Sequence, residues 1–289
     1  DNWDIDNFYT EKFWEVTDLK EFTWTENGPV RATLHLVRNF SHSTICQDIH
    51  FYANLRRVDF VTTVDWHEHQ SLLKVFFPAN VHTDQATFEI QYGNLTRKTF
   101  SNTSWDRARF ESCGQKWCDV SEGHYGVSVL NDCKYGHSVK DGCIGLTLIK
   151  SGIEPNPVTD QEVHTFTYAL YPHQEGWQAG GTVPQAYFLN QPALAVAGGS
   201  ADAGVSLAGV DVPNVVLETV KQAEDGDGVI LRLYECENAK TPVTLTWNKP
   251  FATAEADNCI EEKTGDVEVS GNQIRFTIKP YEVKTIRIR

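Results

Sequence analysis

Along most of the chain, apolar and polar residues alternate one for one. Residues 30–37 read V-R-A-T-L-H-L-V, which puts Ala32, Leu34 and Leu36 on one side of an extended chain and Arg31, Thr33 and His35 on the other. A period of two marks a strand with one covered face. Comparable stretches recur at residues 58–64, 72–77, 87–92, 126–130, 145–149 and 165–170, and again at 215–220, 229–234, 241–247, 273–278 and 283–288. Turn-forming runs stand between them, such as Phe77-Pro78-Ala79-Asn80, Tyr92-Gly93-Asn94, Asp141-Gly142 and Pro155-Asn156-Pro157. Asp225-Gly226 between two β-branched runs is a hairpin signal, because the tight turn needs a positive φ that glycine tolerates. Helical periodicity is nowhere sustained, and the best short helices are residues 106–112 and 160–164. The pattern predicts an all-β chain of the sandwich or barrel kind.

Residues 193–209 interrupt this texture, being rich in Ala and Gly and free of aromatics. The shift divides the chain into a large β domain at 1–209 and a small β-sandwich at 210–289. The length of 289 residues suits that division, at about 150 residues per domain. With 40% hydrophobic and 22% charged residues, both parts can bury a core.

The charge balance narrows the function. Lys and Arg number 25 against 39 Asp and Glu, a net −14, which repels phosphate backbones and anionic lipid. No apolar run approaches the ~20 residues that cross a bilayer, so neither nucleic acid nor membrane is an expected partner. Methionine is absent, as expected of a piece of a longer polypeptide whose remainder holds part of the chemistry. The seven cysteines, at 46, 113, 118, 133, 143, 236 and 259, are an odd number without the tight spacing of a zinc site. Free thiols in a reducing compartment fit them better. Asn39, Asn94 and Asn102 open N-x-S/T triplets, which keep secretion open without requiring it.

The densest candidate chemistry lies between Ser104 and Gly136. Trp105, Trp117, Tyr125 and Tyr135 offer flat apolar faces there, and Asp106, Asp119, Glu122, Asn131, Asp132 and Lys134 offer hydrogen bonds. A sugar ring, apolar on one face and rimmed by hydroxyls, wants that mixture. The competing reading makes Trp105 and Trp117 core residues and the charges a solvated rim. His67 and His69 would share a strand face as two metal ligands, but nothing nearby in sequence completes the set. Asp225 and Asp227 resemble a calcium loop without its later acidic ligand, so a hairpin turn accounts for them better. Asp119/Glu122 and Asp106/Glu111 are the thinkable carboxylate pairs for glycoside hydrolysis, which needs them about 5–9 Å apart. No nucleophile elbow, P-loop or dinucleotide fingerprint occurs. The chain shows no self-sufficient active site.

Taken together, several runs resemble the C-terminal half of glycoside hydrolase family 38 α-mannosidases, in the bacterial and cytosolic branch. They are Val64-Asp65-Trp66-His67-Glu68, Ser104-Trp105-Asp106 with Arg109-Phe110-Glu111, and Lys116-Trp117 with Asp119 and Ser121-Glu122. Leu130-Asn131-Asp132-Cys133-Lys134-Tyr135-Gly136, Leu231-Arg232-Leu233-Tyr234-Glu235 and Ile278-Lys279-Pro280-Tyr281-Glu282 extend the likeness over nearly the whole chain.

The resemblance implies a galactose-mutarotase-like supersandwich followed by a terminal β-sandwich. It also implies a parent enzyme that removes terminal α-linked mannose with retention, through a covalent mannosyl-enzyme. In that family the nucleophile and the zinc-binding His/Asp set lie in an N-terminal α/β domain, so no catalytic residue and no metal ligand is expected here. This region then buttresses the N-terminal catalytic domain of the same polypeptide and closes one wall of the sugar pocket. The expected contacts to a mannose-containing oligosaccharide are Asn131, Asp132, Lys134 and Tyr135. Self-association through apolar surface and a bacterial cytoplasmic location are further expectations. The alternatives are a stand-alone carbohydrate-binding or structural β module, and an epimerase-like enzyme needing His67/Glu68 or His124/Glu122 as its acid–base pair.

Overall fold

The computed structural model describes residues 1–198 and 204–289. The chain forms two compact units: Asp1–Ile90 with Leu95–Ala193, and Gln91–Asn94 with Leu194–Arg289. Residues 199–203 of the Ala/Gly-rich stretch lie outside the described residues.

The first unit opens on an antiparallel meander, β1 (Asp18–Asn27), β2 (Arg31–Phe40), β3 (Ser43–Tyr52) and β4 (Val58–Asp65). Next come β5 (Ser71–Pro78), β6 (Gln85–Ile90) and β7 (Gly93–Lys98). A single helical turn, α1 (Ser104–Arg107), is capped at both of its first orphan donors by Thr103 and Asp106. The strands β8 (Ser112–Cys113), β9 (Trp117–Glu122), β10 (Tyr125–Asn131), β11 (Gly136–Lys140), β12 (Cys143–Ser151) and β13 (Val163–Gln174) follow. Two short helices, α2 (Trp177–Gly180) and α3 (Thr182–Asn190), close the unit.

Nine strands form one sheet, in the order β1-β2-β3-β4-β13-β10-β9-β6-β7, and β5-β12-β11-β8 form another. The two sheets share a core in which Val64, Phe166 and Tyr168 of the large sheet, with Trp66 just past β4, meet Leu73, Ile144 and Leu146 of the small one. Each such side chain stabilises the unit by about 1.5–3 kcal/mol. The Asp141-Gly142 turn joins β11 to β12 with positive φ at both residues. A Cβ at Gly142 would fall 2.8 Å from two carbonyl oxygens, so glycine is required there.

Three features depart from the sequence reading. The helix expected at residues 106–112 is only the single turn α1, and Ser112 already belongs to β8. Residues 160–164 are no helix: Asp160 sits at φ +59°, and the chain then pairs with β4 as β13. Nor did the pattern reveal α3, whose buried residues are Thr182, Val183 and Ala186 rather than a stripe of large apolar groups. Both late helices lie on the outer face of β9, β10 and β13, where Trp177 meets Trp117 with ring centroids 4.9 Å apart.

The second unit comprises β14 (Ala208–Val210), β15 (Val215–Gln222), β16 (Val229–Glu235), β17 (Thr241–Trp247), β18 (Ala254–Asp257), β19 (Lys263–Asp266), β20 (Glu268–Ser270), β21 (Gln273–Ile278) and β22 (Val283–Ile288). They pair as β14-β17-β21-β20 and β15-β16-β22-β18-β19. Leu231, Leu233, Leu245, Ile274, Ile278 and Ile286 fill the space between these sheets. Asp225 and Asp227 lie in the β15–β16 hairpin loop and bind Arg287 and Arg289, so the hairpin reading of these residues holds. The all-β expectation is met throughout.

Candidate functional site

The loop after β10 is built by its own side chains. Asn131 is fully buried: its Nδ2 donates to the Gln115 carbonyl at 2.7 Å, and its Oδ1 accepts from the Lys134 amide at 2.7 Å. That second bond is a local turn of the kind Asn side chains favour. Asp132 clamps the loop to β13, with its amide donating to the Thr167 carbonyl and its Oδ2 accepting from the Thr167 amide at 2.9 Å. Its other oxygen, Oδ1, is buried without a partner. Asn131 and Asp132 therefore shape the loop. Lys134 and Tyr135 are the members it presents: Lys134 Nζ lies 4.5 Å from the centre of the Phe166 ring, and Tyr135 is 48% exposed.

Beneath the loop lies a polar layer that the sequence did not reveal. Glu89 is buried and accepts from the Lys116 amide and from Lys116 Nζ, the latter at 2.9 Å. Burial pushes the Glu89 carboxyl up, and the Lys116 ammonium partly offsets this. Lys116 Nζ also sits 4.8 Å from the Tyr187 ring centre, while Asn190 Nδ2 donates to the Asn131 carbonyl at 2.9 Å. Tyr187 and Asn190 arrive on α3, which carries no periodic signal. His137 is sealed under the loop with Nδ1 3.2 Å from the Tyr135 carbonyl, and burial lowers its pKa to about 4. The Cys133 thiol is pushed up to about 11 by burial and by Asp132.

A second constellation opens on a cleft of about 1910 Å³ lined by the N-terminal segment, β5, β7 and β11. At its floor Lys74 Nζ donates to Glu111 Oε1 and to Thr147 Oγ1, and Tyr9 Oη donates to the same Glu111 oxygen at 2.7 Å. Burial lowers the Lys74 pKa against the pull of Glu111, and burial together with that carboxylate raises the Tyr9 phenol. Glu111 Oε2 is buried and unpartnered. These residues stand far apart in sequence, and only Glu111 had been singled out.

The remaining candidates fall into place around these two sites. Trp117 is core, whereas Trp105 is 76% exposed. Asp106 caps α1, and Asp119 is buried against His173, Ser121 and Ser128. Glu122 accepts from the His82 amide. His67 bonds Asp65 while Glu68 accepts from His42 and Ser43, so that pair is split rather than poised for proton transfer. As a zinc site the loop does not fit, since residues 131–135 offer one carboxylate, one thiol and no imidazole, too few ligands for a tetrahedral set, and Lys134 has no lone pair when charged. Among the described residues one trio brings three donor side chains together, Asp160, Glu162 and His164.

Comparison with known proteins agrees with this architecture. Residues 1–158 match the glycosyl hydrolases family 38 C-terminal domain, and residues 214–286 match the family 38 C-terminal beta sandwich domain. Alpha-mannosidase 2C1 of Mus musculus is 36% identical over 99% of this chain, and alpha-mannosidase G of Dictyostelium discoideum 34% over the same share. In each case the chain spans 28% of the relative's length. The crystal structure of an alpha-mannosidase from Enterococcus faecalis V583 shares the fold, with a TM-score of 0.77 at 19% identity over 93% of this chain and 35% of that one. The chain belongs to glycosyl hydrolase family 38, and what it carries is that family's C-terminal region.

Proposed function

We propose that this chain is the C-terminal β region of a zinc-dependent, retaining exo-α-mannosidase. It buttresses the catalytic domain and contributes one wall of the sugar pocket. The observation that carries this reading is similarity to alpha-mannosidases along 99% of the chain. The nucleophilic and acid/base carboxylates and the zinc ligands belong to the preceding part of such an enzyme. Here three buried carboxylates of the first unit are committed to structure: Asp119 to His173, Glu89 to Lys116 and Glu111 to Lys74.

The surface supports a docking role. Phe22 and Trp24 of β1 are 61% and 57% exposed, and Phe8, Phe13 and Trp14 stand out from the N-terminal segment. Apolar area of this kind marks an interaction face, for the catalytic domain of the same polypeptide or for a second copy when that domain is missing. The β10–β11 loop supports a sugar contact, offering the Lys134 ammonium and the Tyr135 ring from a rigid sheet. Cys46, Cys113, Cys118, Cys133, Cys143 and Cys259 are free thiols, which suits a reducing compartment such as a bacterial cytoplasm.

Hydrolysis of an aryl α-mannoside tests the reading. The chain alone is expected to give no turnover, and the longer polypeptide zinc-dependent turnover. Release of the aryl group by these residues unaided would overturn the assignment, and saturable binding of mannose oligosaccharides by the chain alone would favour an independent sugar-binding module.

A further inference from the structure

We infer that Asp160, Glu162 and His164 form a binding site for a divalent first-row transition ion of the zinc type, separate from any catalytic metal of the longer enzyme. The three side chains follow one another at every second residue as the chain enters β13, and the turn at Asp160 folds its carboxylate back toward the other two. One donor atom from each lies within 4.8 Å of the others. Ligands of a tetrahedral zinc ion stand about 3.4 Å apart, given metal–ligand bonds of roughly 2.0–2.2 Å. Small rotations of these half-buried and exposed side chains close that gap.

The electrostatics favour a cation. Among the described residues neither Asp160 nor Glu162 is paired with a Lys or Arg, so two carboxylate charges face one imidazole without a counter-ion. His164 Nε2 lies 2.8 Å from the Asp160 carbonyl oxygen. A carbonyl only accepts, so Nε2 carries the proton of the neutral ring and the lone pair rests on Nδ1. Such a bond fixes the orientation of a metal-ligating histidine. One imidazole and two carboxylates suit zinc, cobalt or nickel; calcium would want six or more oxygens.

The neighbourhood is rich in further donors. Val163 pairs with Asp65, whose carboxylate bonds His67 at 2.8 Å, and Gln161 Nε2 lies 2.7 Å from the ring of His69.

Cobalt titration of the 289-residue chain near neutral pH tests the site. One saturable equivalent is expected, with weak visible d–d bands, no thiolate charge-transfer band, and displacement by zinc. His164→Ala and Glu162→Gln should each weaken uptake by at least about tenfold, since losing even an outer-shell partner of a metal ligand costs that much. Glu162 is exposed, so its substitution tests the site even where His164→Ala fails to fold. Absence of saturable uptake, a thiolate band, or uptake within tenfold of the original in either variant overturns the inference.

Discussion

Asp119 and His173 meet 2.7 Å apart, Oδ2 to Nε2, with 1% of each side chain exposed. Ser128 Oγ donates to the same carboxylate oxygen at 2.7 Å and lies 2.7 Å from Thr182 Oγ1, so β9, β10, β13 and α3 are tied at one point. Gly126 and Gly180 wall the imidazole so closely that a Cβ would come within 2.3 Å and 2.5 Å of ring atoms. Removing one partner of a buried pair leaves the other without compensation, so Asp119→Ala should cost about 3–5 kcal/mol. Gly180→Ala, which overfills the same space, should cost about 1–3 kcal/mol. Urea unfolding measures both, and a midpoint unmoved by either substitution would mean the knot holds nothing.

His137 gives the fold a pH dependence of known sign. Its pKa falls from 6.5 to about 4 on folding because burial disfavours the charged ring. A depressed folded pKa contributes stability above pH 6.5 and loses it as pH falls toward 4. The loss amounts to about 3 kcal/mol, at 1.36 kcal/mol per unit. Unfolding free energies of the original chain and of His137→Gln, compared across that window, should converge as the pH drops. Parallel curves would contradict this.

Arg287 is the electrostatic centre of the second unit. It donates Nε to Asp257 at 2.8 Å, one terminal nitrogen to Asp225 at 2.7 Å, and the other to the Glu261 carbonyl at 2.8 Å. Three bonds in three directions need the guanidinium fork, so Arg287→Lys should not rescue. Either Arg287→Ala or Arg287→Lys should leave Asp257 buried and under-paired, costing about 3–5 kcal/mol. Faster amide exchange in β16, β18 and β22 would register it.

Lys134→Ala separates wall from buttress in the longer enzyme. If the loop meets substrate, kcat/KM for an aryl α-mannoside should drop about tenfold, equivalent to roughly 1.4 kcal/mol. Unchanged kinetics with a lowered melting temperature would instead assign the loop to packing.

What could be read from the chain follows from which physics is local. Strands covered on one face announce themselves by alternation, and β2, β4, β13 and β17 did. β9 did not, because Trp117, Cys118, Asp119 and Val120 are all buried and two-sided burial erases the period. β1 hid for the opposite reason, with almost every residue exposed. The site was legible only where it is contiguous, as in Asn131 to Tyr135. Glu89 beside Lys116, or Tyr9 beside Lys74 and Glu111, are meetings arranged by sheet order, and no spacing rule in one sequence foretells them.

The position of β1 at the margin of the nine-stranded sheet has a practical consequence. Alternate residues along its ten-residue backbone present amide and carbonyl groups on the side away from β2, a template onto which any extended peptide can zip. Asp18, Lys20 and Glu21 are the gatekeepers along that rim. Neutralising them should turn a soluble preparation into one that ribbons together, strand upon strand.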